Sequence, residues 1–216
     1  MLAKVKFCGM TRPQDAALAA EVGASYVGVI FADSKRKVSV AQAREILDSA
    51  GPGVRHVGVF DTNDADRIGE VADEVGLNIV QLHADPMSTD VEAIRRRFGG
   101  EVWATIRVSG SHIPHQYDDL FDTADGVLLD ARSEKGLGGT GISLPWNELA
   151  VDLARDRGSA AVVLAGGLNP KNVGNAIRVL APDIVDVSSG IESAPGIKDP
   201  WLMREFYEAA VGNTAH

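Results

Sequence analysis

The sequence is poor in cysteine, in aromatic side chains and in positive charge, and it has no long apolar run. A single cysteine, Cys8, stands among 216 residues. No disulfide can therefore form within the chain, and no cysteine-based metal site has the ligands it needs. Lys and Arg number 21 against 30 Asp and Glu, for a net charge of -9, the wrong sign for a protein that displaces counterions from nucleic-acid phosphates. The densest basic run, Arg95-Arg96-Arg97, closes a helical stretch, where positive charge suits the helix dipole. No apolar stretch approaches the ~20 residues that span a bilayer, and residues 1–4 pass into a strand pattern without a signal-peptide core. These absences predict a cytoplasmic protein with no metal, nucleic acid or membrane among its partners. Aromatics make up only 6% of the chain although 45% of it is hydrophobic. The apolar mass is mostly Ala, Val and Leu, as in parallel strands buried on both faces under small helices.

What is there is a rhythm. β-rich apolar runs occupy residues 5–7, 26–31, 56–60, 79–82, 102–106, 126–129, 161–164 and 184–187. The residues at their C-terminal ends, Cys8, Phe31, Phe60, His83, Arg107, Asp130, Gly166 and Ser188, are 23, 29, 23, 24, 23, 36 and 22 positions apart. That interval is what a strand, a helix and two short loops consume. Helical patterns fill the gaps at 13–22, 39–49, 64–75, 89–98, 145–157, 170–180 and 199–211, with Thr11 and Ser39 as candidate N-caps and Gly23 and Gly76 as stops. The stretch 113–122 contains Pro114 and little periodicity, which predicts a short or irregular helix. No linker divides residues 1–216, so one domain is expected. Alternating strands and helices admit a closed barrel or an open doubly wound sheet. Short strands, and polar residues at strand ends spread over the whole chain, favour a single-domain (β/α)₈ TIM barrel, because an open sheet gathers its chemistry at one switch point.

Three glycine-rich segments follow the last three strands. They contain Gly139, Thr140 and Gly141, then Gly166 and Gly167, then Ser188, Ser189 and Gly190. Glycine lets backbone N–H groups approach an anion closely, and loops after strands seven and eight of such barrels frequently hold a phosphate. One such loop alone would be turn chemistry, whereas three converging at one end of a barrel predict a phosphorylated small-molecule substrate. Gly136, Gly138 and Gly141 also match a dinucleotide fingerprint, but residues 131–135 separate them from the strand they should follow directly. No Lys-Ser/Thr follows the glycines to make a Walker A loop. Cys8 and Asp130 end strands one and six, so a closed barrel turns both toward its mouth, where they could form a base and acid pair. The plainer readings are a small buried hydrophobe for Cys8 and a loop cap for Asp130.

The segments Lys6-Phe7-Cys8-Gly9-Met10-Thr11, Ser34-Lys35-Arg36-Lys37-Val38-Ser39, Gln81-Leu82-His83, Leu129-Asp130, Gly139-Thr140-Gly141 and Val185-Asp186-Val187-Ser188-Ser189-Gly190 run in order along nearly the whole chain. Together they resemble the phosphoribosylanthranilate isomerase family of tryptophan biosynthesis. The resemblance implies an Amadori rearrangement of N-(5-phosphoribosyl)anthranilate to a 1-deoxyribulose phosphate, without metal or organic cofactor. It implies Asp130 as the acid that opens the sugar ring and Cys8 as the base that removes the C2 proton. Arg36 would pair with the anthranilate carboxylate, where a planar fork suits the ligand. Asp186 faces either the substrate amine or a structural partner, and His83 either contacts substrate or lines the mouth. Two departures stand out: Ala84-Asp85 follows Gln-Leu-His where the family usually has Gly, and the loop from Phe31 to Ser34 is one residue short.

Two rivals differ in what they require. A histidine-pathway or dual-substrate isomerase resembles two fused halves with a phosphate site in each and an Asp ending strand one, where this chain has Cys8. A non-catalytic sugar-phosphate-binding barrel would need the glycine loops but not Cys8 and Asp130. The oligomer is expected to be a monomer or a homodimer. Side chains two apart on a strand share a face, so Lys6 lies beneath Cys8 and would lower its thiol below the ~8.5 of a free cysteine. An inward Asp186 on strand eight would instead neutralise Lys6.

Overall fold

The computed structural model describes residues 3–108, 112–131, 146–155 and 158–212. Eight parallel strands, β1 (Lys4–Phe7), β2 (Tyr26–Ile30), β3 (Arg55–Phe60), β4 (Ile79–Leu82), β5 (Glu101–Val108), β6 (Gly126–Ala131), β7 (Ala161–Ala165) and β8 (Ile184–Val187), pair in sequence order. The cylinder closes where β1 meets β8, with Lys4 opposite Ile184 and Lys6 opposite Asp186. The helices α1 (Pro13–Glu21), α2 (Val40–Ala50), α3 (Ala65–Val75), α4 (Ser88–Arg97), α5 (Leu120–Thr123), α6 (Trp146–Arg155), α7 (Val173–Leu180) and α8 (Pro200–Val211) alternate with them. The barrel expected from the spacing is the one observed.

Local chemistry accounts for the helix ends. Ser39 accepts from the Gln42 amide while the Gln42 side chain accepts from the Ser39 amide, a reciprocal cap for α2. That helix buries Ala43, Ile46, Leu47 and Ala50, the stripe set by 3.6 residues per turn. Asp64 caps α3 through the Arg67 amide, and Gly76 stops it in the left-handed region at φ 75°. Thr11, expected to cap α1, does not. Pro13 takes the first helical position, which makes Arg12 the cap residue and leaves Thr11 one place too early. The Thr11 hydroxyl donates instead to the Gly196 carbonyl at 2.5 Å. Residues 113–122 form a single 3₁₀ turn, His115–Tyr117, and the four-residue α5.

Alternation along the strands builds two separate cores. Val5, Phe7, Val27, Val29, Leu82 and Ile106 point outward and pack under the helices; Phe7 meets Phe206 of α8 at 6.1 Å between ring centres. Tyr26, Val57, Ile79, Trp103, Leu128, Val163 and Ile184 point inward and plug the barrel. Each such side chain contributes about 1.5–3 kcal/mol by leaving water. Two residues further along β4, β5 and β8 the inward positions become polar, with Gln81, Thr105 and Asp186 all buried, and β1 adds buried Lys6 at the same level. The barrel is therefore greasy below and ionic above, and the site rests on that step.

A hairpin of β9 (Glu192–Ala194) and β10 (Ile197–Lys198) links β8 to α8. Pro195-Gly196 is a turn signature, and Gly196 stands at φ +79°.

Candidate active site

Cys8 leaves β1 with its amide still bonded to the Val187 carbonyl at 2.9 Å, which aims the side chain into the mouth. Its sulfur lies above Gly28: a Cβ there would sit 3.0 Å from Sγ and 3.4 Å from Cε of Lys6. Cys8 is only 6% exposed. Beneath it, fully buried Lys6 holds Asp186 across the closing seam, with Nζ 3.1 Å from Oδ1. Burial works against the Lys6 charge, but Asp186 and Cys8 outweigh it and hold Lys6 above its ordinary range. Burial also pushes Asp186 up against the pull of Lys6. The short contact nevertheless defines an ion pair, because a neutral Lys6 would lose the partner that offsets its burial.

This corrects the expectation that Cys8 is activated. Burial pushes its thiol above the ordinary value, Lys6 pulls it down, Asp186 pushes it up again, and the net shift is upward. Lys6 cannot serve Cys8 fully because Asp186 has already claimed it. The alternative raised from strand register is the arrangement found.

Across the mouth, Asp130 lies in register with Arg107 on β5 and Ala165 on β7. His83, whose amide extends the β3–β4 ladder by bonding the Phe60 carbonyl, brings Nε2 to 3.6 Å from Oδ2 of Asp130. Arg107 donates to the His83 carbonyl at 2.7 Å and to Asp85 at 3.0 Å. Asp85 adopts φ +47°, a conformation that Asp tolerates better than most residues. Asp85, one place beyond the Ala84 that stands where the family usually has Gly, is tied to the neighbouring strand by this ion pair.

Arg36 reaches the rim from the loop after β2. Its Nε and Nη2 donate to Glu192 at 2.7 and 2.6 Å, a fork-on-carboxylate contact. Glu192 also accepts from the fully buried Lys198 at 2.9 Å, and Lys198 donates to the Ser188 carbonyl at 3.0 Å. Burial alone would raise Glu192, yet the two cations hold it below the ordinary carboxylate range. Gly9, at φ +69°, makes room: a Cβ there would stand 2.6 Å from Cδ of Arg36 and 2.8 Å from Oγ of Ser188.

The phosphate loops are partly visible. Gly166 and Gly167 both take positive φ, 87° and 67°. Gly190 lies so close to the β7 loop that a Cβ would run into the Leu168 carbonyl, so Gly166–Leu168 and Ser188–Gly190 are neighbours in space. Ser189 begins a 3₁₀ turn, Ser189–Ile191. Gly139, Thr140 and Gly141 lie outside the described residues. Two concavities of about 340 and 450 Å³ open at the N-terminal end of the barrel, both beside Lys4, Tyr26 and Arg55. The Arg55–Glu101 and Arg95–Asp125 ion pairs occupy the first with paired charge, and the apolar plug separates both from the mouth.

Cys8, Asp130, His83, Arg36, Asp186 and the β7 and β8 glycine loops thus gather at one end of the barrel. Glu192 and Lys198 were not singled out from the sequence. Glu192 stands two residues past the Val185–Gly190 segment and closes the Asp-Val-Ser-Ser-Gly-Ile-Glu motif, but nothing in the sequence tied it to Arg36.

Fold and site together define a (β/α)₈ barrel with a thiol, two carboxylates and an arginine fork at its C-terminal mouth. Residues 5–209 match the family model for N-(5'phosphoribosyl)anthranilate (PRA) isomerase, and the chain belongs to that family. It is 41% identical to the N-(5'-phosphoribosyl)anthranilate isomerase of Geotalea uraniireducens over 98% of this chain and 100% of the relative. The crystal structure of phosphoribosyl anthranilate isomerase from Thermotoga maritima superposes with a TM-score of 0.88 at 36% identity, covering 98% of this chain and 100% of that one. A structure of such an isomerase in complex with reduced 1-(o-carboxyphenylamino)-1-deoxyribulose 5-phosphate superposes with a TM-score of 0.84 at 35% identity, covering 98% and 100%.

Proposed function

We propose that the chain converts N-(5-phosphoribosyl)anthranilate to 1-(2-carboxyphenylamino)-1-deoxyribulose 5-phosphate, the aldose–ketose isomerisation of tryptophan biosynthesis. The observation that carries the reading is the placement of Cys8 and Asp130 on inward positions at the C-terminal ends of β1 and β6. Asp130 gives its proton to the ring oxygen as the C1–O bond breaks, and the anthranilate nitrogen lone pair forms an iminium. The Cys8 thiolate then takes the proton from C2, and the C–H electrons form an enolamine that neutralises the nitrogen. The proton then passes from the Cys8 thiol to C1 while the C2 hydroxyl gives up its proton, which restores the protonated Asp130 and leaves the aminoketose, so atoms and electrons balance without a redox partner.

Burial pushes the Cys8 thiol up, so the thiolate must be favoured at the moment of need. The iminium cation supplies that charge: it lowers the thiol and acidifies C2–H together. The Gly166–Gly167 and Ser188–Gly190 loops cradle the phosphate with backbone amides. His83 stands beside Asp130, and Asp186 keeps Lys6 in place. The test is turnover of phosphoribosylanthranilate, followed by loss of its fluorescence. Ligand binding without turnover would favour the non-catalytic barrel, and turnover of the histidine-pathway aminoaldose would favour the dual-substrate reading.

A further inference from the structure

We infer that Glu192 is a positioning residue that presents Arg36 to the carboxylate of the substrate's aromatic ring, and so sets the enzyme's selectivity for a carboxylated amine. The inference rests on the isomerase reading above and adds a residue that selects the substrate.

Three observations carry it. The first is which edge of Arg36 is used. Glu192 occupies Nε and Nη2, the side edge of the guanidinium. The end edge, one N–H from Nη1 and the second from Nη2, stays available in the same plane, spaced for a second carboxylate. The second observation is charge. Arg36 and Lys198, two cationic groups, converge on the single carboxylate of Glu192, with side chains 19%, 0% and 5% exposed; burial pulls Lys198 below its ordinary range, and the Glu192 contact works against that pull. Neighbouring charges do not fill the deficit, because Lys6 is paired with Asp186 and Asp15 with Arg12. The cluster is one anion short, and a substrate carboxylate completes it. The third is rigidity. Lys198 ties Glu192 to the Ser188 carbonyl, and the Val38 amide bonds back to Ile30 at the foot of the Arg36 loop. A long cation that would otherwise be ordered at each binding event is ordered beforehand.

Charge-conserving and charge-changing variants test this. The probes are the reduced product analogue bearing the 2-carboxyphenyl group and its phenyl counterpart without the carboxylate, measured by calorimetry beside steady-state turnover. Glu192→Asp keeps the charge but is one methylene too short for the fork. It is expected to weaken the carboxylated analogue roughly tenfold, the scale of one charged hydrogen bond, and to leave the phenyl analogue unchanged. KM should rise while kcat holds within a few fold. Glu192→Gln separates orientation from charge. It leaves the cluster more positive, so charge alone would tighten the carboxylated analogue, whereas loss of the fork weakens it. Arg36→Met combined with Glu192→Asp should be no worse than Arg36→Met alone. Equal losses on both analogues, or tighter binding by Glu192→Gln, would overturn the inference. Should Glu192→Gln fail to fold, Glu192→Asp decides alone. If the unmodified protein turns over phosphoribosylanthranilate but either variant matches it, only the inference falls; if it neither turns over the substrate nor prefers the carboxylated analogue, the isomerase reading falls with it.

Discussion

Replacing Lys6 with Met is the sharpest perturbation of the barrel interior. Lys6 is fully buried, Asp186 is 9% exposed, and their charged atoms are 3.1 Å apart. Met keeps the length and most of the volume of the lysine stem, so packing changes little, but Asp186 loses its counterion. Breaking one side of a buried pair costs about 3–5 kcal/mol, whereas replacing both partners with apolar groups is often neutral. Lys6→Met is therefore expected to lose about 3–5 kcal/mol in urea unfolding at pH 7, and Lys6→Met with Asp186→Leu to recover most of it. The pH dependence has a fixed sign. Lys6 is held above its ordinary 10.5, so its contribution is complete below that value and fades only as pH rises through the folded-state value. The gap between wild type and Lys6→Met should be flat on the alkaline side of neutrality, up to the ordinary 10.5 of a lysine. Below that window it should narrow, because Asp186, pushed up by burial, relieves its isolation by taking a proton. A loss under ~1 kcal/mol for Lys6→Met, or a double variant no better than the single, would refute the account of the interior.

Cys8→Ser should lose most turnover while analogue binding survives, and iodoacetamide should label Cys8 slowly, along a pH curve with a midpoint above that of a free thiol. A midpoint below ~8 would mean that Lys6 activates the sulfur after all. Asp130→Asn keeps shape but cannot deliver a proton; turnover of phosphoribosylanthranilate should fall roughly 10²-fold or more, and near-normal rates would remove the acid role. Gly190→Ala pushes a methyl into the Leu168 carbonyl, so one phosphate loop must shift. We expect a loss of about 1–3 kcal/mol in thermal unfolding and weaker binding of the phosphorylated analogue, with an unchanged melt as the contrary result.

The scaffold was legible because its signals are local. Alternation along β1 put Lys6 on the same face as Cys8, and Ser39 and Gly76 mark helix ends by their own chemistry. Thr11 misled because Pro13 moved the cap by one residue, a competition visible only once the helix start is fixed. Strand-end positions also gave the members of the mouth: Cys8, His83, Asp130 and the glycine loops. The electrostatics were not legible in the same way. Whether Lys6 serves Cys8 or Asp186 depends on a 3.1 Å contact across the seam, and register allowed both outcomes. Arg36 finds Glu192 from 156 positions away, through a hairpin whose Pro-Gly turn was readable but whose buried Lys198 was not.

That hairpin has a consequence for synthesis. Lys6 and Asp186 are 180 positions apart, and Thr11 and Gly196 are 185 apart. A nascent chain that has released seven strands still carries a buried-type lysine with no counterion and an arginine with no clamp. The mouth can then be assembled only after residues 184–198 have emerged, so a stalled or truncated product would expose reactive groups without the geometry to use them. Closing loops this long is entropically slow, which makes docking of the final strand and hairpin the step at which newly made protein becomes competent.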